Sequence, residues 1–398
     1  MARILLAWEL GGGLGHAVRF DRLNRVFKNR GHTACVALPY PSHAGRLNLD
    51  PANIRIVPEW PGIVRRRRDR QGISWISYGD MLAGIIFTDA AEIAAHLRAW
   101  RQVFAGTKAD IVIADYAPGA VLAARDHLPL VNIGDGYTLP PHDMDRFPLL
   151  WQGEAPVKHA EDSIAEMISE ALAELGARRL HNYPDMNAAD AHATMTIPLL
   201  DVYSDERSGG WLGGEPYSLP RVDAASRSGL FATLHEDMQF DMRLIEGIAD
   251  SGLGGSVMIP NLLRKSRKLL AAAEFQTPDD LQPLNEVLET ARLLVHHGGM
   301  GTCLAGVAKG VPQLIIHGDL EKWANGKAIS GAGAGIALDH RNVTREDVTG
   351  AIRVLANDPS YTERALELAR ENGKFFKNSS LMALAELAEQ VLARSHAH

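Results

Sequence analysis

The sequence predicts an α/β chain of two doubly wound β/α/β domains. Two stretches carry that prediction. In each, a short apolar run fit for a buried strand meets a glycine-rich turn, and a helical pattern follows. The first is residues 3 to 10, RILLAWEL, then Gly11-Gly12-Gly13-Leu14-Gly15-His16. The second is residues 293 to 295, then His297-Gly298-Gly299-Met300-Gly301-Thr302. Between them, residues 204 to 228 lose periodicity and gather Gly, Ser and Pro, which predicts a linker.

In chain order, Val18, Leu23, Val26 and Phe27 carry a helical stripe after the first turn, and residues 33 to 38 form a second strand. Ligands of such a β-α-β opening lie beyond the carboxyl ends of its strands. The triple glycine also suggests a dinucleotide turn. Its G-x-G-x-x-G spacing is poorly met, however, and the next strand runs into Leu38-Pro39 without an acidic end. Residues 51 to 75 are irregular and hold Arg65-Arg66-Arg67-Arg68 and Arg70, either an anion grip or a solvated loop. Met81, Leu82, Ile85, Ile86, Ile93, Leu97 and Val103 predict one core helix over residues 78 to 104. Residues 110 to 115 form a strand ending in Asp115-Tyr116, where Asp115 either serves a site or caps the next helix. Residues 130 to 133 extend the sheet, and the loop with Asp135 and Tyr137 opens at the same edge.

Ser163 and Glu166 have capping-box spacing at the head of a helix expected over residues 163 to 180. Residues 229 to 234 should open the second domain and lead into a helix over 236 to 250. Leu381, Leu384, Leu387, Val391 and Leu392 mark a last amphipathic helix, before a tail holding His396 and His398 that reads as frayed.

Composition narrows the class. The chain has 398 residues, 46% of them hydrophobic and 22% charged, enough for two or three domains with large cores. A net charge of −7 speaks against a nucleic-acid or anionic-membrane binder. Cys35 and Cys303 are too few for a disulfide framework or a thiolate metal site. The start lacks the charged-then-apolar design of a signal peptide, and no apolar run approaches a membrane span, so a cytoplasmic protein without an integral membrane segment is expected.

A strand, a glycine-rich turn and a helix bring free backbone N–H groups and the positive end of a helix dipole to one point, which suits phosphate. At the second turn Thr302 adds a hydroxyl and His297 an imidazole N–H. The reading is a pyrophosphate cradle, although many such turns bind nothing.

The run QPLNEVLETARLLVHHGGMGT, the following GVPQL, and Glu321 with Asn325 a few residues on resemble the donor-site signature of nucleotide-sugar glycosyltransferases of the GT-B fold. The likeness is to bacterial natural-product enzymes of glycosyltransferase family 1. It implies two Rossmann-like domains facing a central cleft: an acceptor domain over 1–216, a linker over 217–228, a nucleotide-sugar domain over 229–375, and a C-terminal helix over 376–398 crossing back. It implies that His16 is the catalytic base and Asp115 its orienting carboxylate, which would fix the tautomer and raise the ring's basicity. It implies donor contacts from Gly13, Pro283, Leu284, His297, Gly298, Gly299, Met300, Gly301, Thr302, Glu321, Lys322 and Asn325. Trp8, Glu9, Tyr116, Asp135 and Tyr137 are then expected to shape the acceptor pocket, and His32 to be structural.

Two positions depart from the family pattern. His235-Glu236 stand where a Gly with Ser or Thr usually touches phosphate, and Glu321-Lys322 replace a common Asp-Gln, which suggests a donor sugar other than plain glucose, or one bearing an acid, unless Lys322 simply faces solvent. The expected activity is inverting, metal-independent and cofactor-free transfer from a UDP- or TDP-sugar to a small-molecule acceptor. The alternatives are a noncatalytic nucleotide-sugar binder or partner subunit, and a nucleotide-sugar epimerase.

Overall fold

The computed structural model describes residues 1–11, 14–45, 47–57, 59–63, 75–151, 159–218, 223–280 and 282–395. Gly13, the Arg65 to Arg70 cluster, part of the expected linker, and His396 and His398 lie outside the described residues.

Two compact units divide the chain. The first takes Met1–Met195, Tyr203–Leu212 and Ser380–His398, and the second takes Thr196–Val202 and Gly213–Ser379. These bounds begin the second unit earlier than the Gly/Ser/Pro-rich stretch suggests.

The first unit holds a parallel sheet of β1 (Arg3–Trp8), β2 (Thr33–Leu38), β3 (Ile54–Ile56), β4 (Ile111–Asp115), β5 (Leu130–Gly134) and β6 (Ala191–Thr194), in the order β3-β2-β1-β4-β5-β6. The second holds β7 (Ser228–Thr233), β8 (Gly255–Met258), β9 (Phe275–Gln276), β10 (Ala291–His296), β11 (Gln313–His317) and β12 (Gly335–Asp339), in the order β12-β11-β10-β7-β8-β9. Each is a doubly wound order that reverses once, between β1 and β4 in one unit and between β7 and β10 in the other. A crevice opens beyond the strand ends at such a reversal. β1, β4 and β5 are buried on both faces, which is why they read as continuous apolar runs instead of alternating ones.

The helix Ser380–Ser395 completes the first unit. Leu381, Leu384, Ala385, Ala388, Val391 and Leu392 join the core that β1, β2 and the helix Leu14–Asn29 share. Its Glu389 takes a paired grip from Arg30, at 2.8 and 2.6 Å, and a contact from His32 at 3.0 Å. That grip gives His32 the structural place expected of it.

Local chemistry divides the helices more finely than periodicity suggests. Residues 78 to 104 are two helices, Tyr78–Ile85 and Ala90–Thr107, because Ser77 caps the first and Asp89 accepts the Glu92 N–H to start the second. The expected helix over 236 to 250 is a 3-10 turn, Glu236–Phe240, then an α-helix, Met242–Ala249, capped by Asp241. The helix near residue 163 runs over Glu161–Ala173, so Ser163 lies inside it and forms no capping box. No helix among the described residues is long and apolar enough to cross a membrane.

Candidate active site

At the first reversal the paired ends of β1 and β4 set Trp8 opposite Asp115. His16, on the helix that follows β1, points Nδ1 at Asp115 Oδ2 from 3.0 Å. The approach lies off the ring N–H direction, so it is an electrostatic contact rather than an aligned hydrogen bond. Arg19, three residues along that helix, donates Nη1 to the same Oδ2 at 2.7 Å. Asp115 is fully buried. Burial works to raise its carboxyl, but Arg19 and His16 outweigh it and hold the group at about 2.

Gly11 lets this turn close. Its φ of +83° is open to glycine, and a Cβ there would stand 3.3 Å from His16 Nε2 and 3.4 Å from the Tyr116 ring. Tyr116 takes φ +50° without being glycine, a strained conformation beside the candidate base. Its ring centroid lies 6.3 Å from that of His16, and Trp8 stacks on His16 at 4.9 Å and 23°. Trp8 and Tyr116 therefore flank the imidazole.

The other three residues expected in the acceptor pocket are spent internally. Glu9 is buried and accepts from the Gly119 N–H at 2.6 Å, from Trp100 Nε1, and pairs with His96 Nε2 at 2.6 Å. It ties the end of β1 to the helices Pro118–Ala124 and Ala90–Thr107 in place of meeting an acceptor. Asp135 closes its own turn by accepting from Thr138 N and Oγ1 at 2.9 and 3.0 Å. Tyr137 is buried with its hydroxyl 3.4 Å from Met81 Sδ.

At the second reversal His296 is paired with Thr233 across β10 and β7. Gly298 turns the chain with φ +91°, and a Cβ would meet Ile315 and Lys322 at 3.0 Å. Gly299 then heads the helix Met300–Lys309; its carbonyl accepts from the Thr302 and Cys303 N–H groups at 3.0 Å, and the Met300 and Gly301 N–H groups ahead of them have no intrahelical carbonyl to reach. His296 fixes this turn. Its Nδ1 accepts the Gly298 N–H at 3.2 Å, so its proton sits on Nε2 and is donated to Gln313 Oε1 at 3.0 Å. Burial and the neighbouring His297 hold His296 neutral down to about 3.

His297 is half-buried. Burial first, then the positive charge of Lys322 and the nearby His235, lower it to about 4. Its Nδ1 is buried without an aligned partner among the described residues, while the charge of Asp319 and then the Thr233 backbone favour its protonation. A neutral imidazole N–H beside unpaired backbone N–H groups is an anion-binding arrangement.

The remaining expected donor residues divide. Met300 turns its side chain into the core, where its sulfur accepts from Thr196 Oγ1 at 3.1 Å, so only its main chain faces the turn. Thr302 and Gly301 lie in the first helical turn. Asn325 is buried and donates Nδ2 to the Gly298 carbonyl at 2.9 Å. It braces the turn, a role the expectation of sugar reading does not include. Lys322 pairs with Asp319 and packs against Gly298, so it does not simply face solvent. Glu321 is half-buried beside it. Pro283 caps the short helix Leu284–Thr290 with its carbonyl, and Leu284 packs at the edge of the Phe231 and Leu294 cluster. His235 caps a 3-10 turn, with its ring 6.4 Å from that of His297.

Sequence reading missed Arg19, His296 and Asp319. For Arg19 the signal was there, since residues three apart share a helix face. Nothing in the sequence separates His296, which holds the turn, from His297, which lies at its surface.

Residues 270–375 match the family described as "Erythromycin biosynthesis protein CIII-like, C-terminal domain". The chain is similar to the elloramycin glycosyltransferase ElmGT of Streptomyces olivaceus, 25% identical over 285 residues, which are 66% of this chain and 64% of the relative. It is also similar to the L-demethylnoviosyl transferase of Streptomyces niveus, 27% identical over 223 residues, 53% of this chain and 57% of that one. The alignments thus span less than two thirds of either relative. Among solved structures, the spinosyn rhamnosyltransferase SpnG superposes with a TM-score of 0.67 at 19% identity, covering 98% of this chain and 100% of SpnG. SpnG has also been solved complexed with thymidine diphosphate and with the spinosyn aglycone. The fold is that of the GT-B glycosyltransferases.

Proposed function

We infer that this chain, a GT-B protein carrying an EryCIII-like C-terminal domain, transfers a sugar from a UDP- or TDP-sugar to a small-molecule acceptor of natural-product type. The observation that carries the reading is the His16 contact with the buried Asp115 at the reversal of the first sheet. The names of the relatives and the thymidine diphosphate of SpnG support the donor class.

In this proposal His16 Nε2 takes the proton of an acceptor hydroxyl while Asp115, itself held by Arg19, holds the other edge of the ring. The acceptor oxygen bonds to the anomeric carbon from the face opposite the leaving group, so configuration inverts. The bond from that carbon to the diphosphate breaks, and the nucleoside diphosphate departs with its electron pair. The Gly298 to Thr302 turn, with its N–H groups, its helix dipole and His297, stabilises the charge that builds on the diphosphate. No metal is assigned a part.

A thermal-shift series against UDP and TDP, with and without chelator, tests the donor site. A ligand at 100-fold over its dissociation constant adds about 2.7 kcal/mol to the folded state. The expected result is stabilisation by one nucleotide, insensitive to chelator and lost in His297→Ala. Release of that nucleotide from its sugar in the presence of phenolic and macrolide acceptor probes tests transfer, which His16→Ala should abolish with binding intact. Binding without release in the wild type would instead favour a noncatalytic nucleotide-sugar binder.

A further inference from the structure

Trp8 does not lie in the core merely as bulk. It is fully buried at the last position of β1, and its Nε1 donates to the Leu10 carbonyl, which fixes the rotation of the indole. On that fixed plane lies the ring of His16, with centroids 4.9 Å apart and planes 23° apart. His43 stacks on the indole as well, at 5.2 Å and 8°, and Tyr40 meets it edge-on at 6.0 Å. The groups facing His16 are therefore Asp115 at Nδ1, Arg19 behind that carboxylate, the Tyr116 ring and the Trp8 face.

We propose that Trp8 is a positioning residue for His16: its indole face sets the plane of the imidazole and takes up the positive charge that the ring acquires when it accepts a proton. A cation within about 6 Å of an indole centroid is attracted by the ring quadrupole, more strongly once water is excluded. The attraction exists only for the protonated ring, so it lowers the energy of the state after proton transfer and not that of the resting one. Arg19 acts the other way, because it opposes a second positive charge at Asp115. The indole offsets that repulsion from the face of the ring. This inference rests on the reading of His16 as the base.

The test is the emission of Trp8 isolated as the difference between wild type and Trp8→Phe. A protonated imidazole quenches a stacked indole. Lowering the pH from neutral should therefore quench the difference emission, the quench should persist in His43→Gln, and it should vanish in His16→Gln. No quench, or a quench carried by His43 alone, overturns the proposal.

The second arm is turnover, read as nucleotide release with the acceptor probes above. Trp8→Leu should lower kcat about tenfold with donor KM unchanged, and Trp8→Phe should recover the larger part. Equal kcat in wild type and a folded Trp8→Leu would also overturn it. If Trp8→Leu does not fold, the Trp8→Phe and His16→Gln emission comparison decides. Full transfer by His16→Ala would remove the base itself and leave the emission result standing, so the two failures are distinguishable.

Discussion

His16 Nδ1 and Arg19 Nη1 converge on a single oxygen of Asp115, at 3.0 and 2.7 Å, while Oδ1 is buried with no hydrogen-bond partner among the described residues. One buried carboxylate is thereby shared between a permanent cation and a switchable one. With His16 neutral the triad carries no net charge. Arg19 and His16 together keep Asp115 ionised against its burial.

Arg19→Leu should consequently destabilise the first unit, because it strips a buried charge of its permanent partner. The expected loss is about 3 kcal/mol in denaturant unfolding. A loss below about 0.5 kcal/mol would mean that the pair behaves as an exposed one.

Stability should fall on the acid side of neutrality. His296 is ordinarily at 6.5 and is held near 3 in the fold, so between these values the unfolded chain binds a proton that the folded one refuses. Its contribution is fully present above 6.5 and is lost as the pH falls toward 3. Urea unfolding at pH 5 should show about 2 kcal/mol less stability from this ring than at pH 8, and His296→Gln should lose correspondingly less on acidification.

Glu9→Ala should unfold the protein more readily while changing acceptor affinity little. It leaves His96, Trp100 and the Gly119 N–H without their common acceptor, at a cost of about 3 to 5 kcal/mol. An acceptor-lining Glu9 would show the reverse in denaturation and KM measurements.

Asn325→Ala should weaken nucleotide diphosphate binding about tenfold, measured by calorimetry with UDP and TDP, because it frees the Gly298 carbonyl and loosens the turn. If Asn325 meets only the sugar, the affinity for the bare diphosphate stays unchanged.

Local pattern alone was enough for the architecture. An apolar run, a glycine-rich turn and a helical stripe recur at residues 3 to 27 and 293 to 308, and strand periodicity, turn chemistry and helix amphipathicity are all properties of neighbours along the chain. The same logic marked Asp115 and the Gly298 to Thr302 turn at strand ends, whereas His16, on the helix after β1, is singled out only by the resemblance to the family. It failed where a side chain's task depends on what stands across the fold. Glu9 and Asn325 look like ligand-facing polar residues until the helix bearing His96 and Trp100, and the turn carbonyl of Gly298, are brought against them. Trp8 reads as an acceptor-pocket residue until the sheet and the first helix bury it and lay His16 on its face. A sequence specifies which groups are present and what each can bond. Which bonds are taken is decided only when tertiary packing removes water and leaves every buried donor and acceptor to find its partner in the protein.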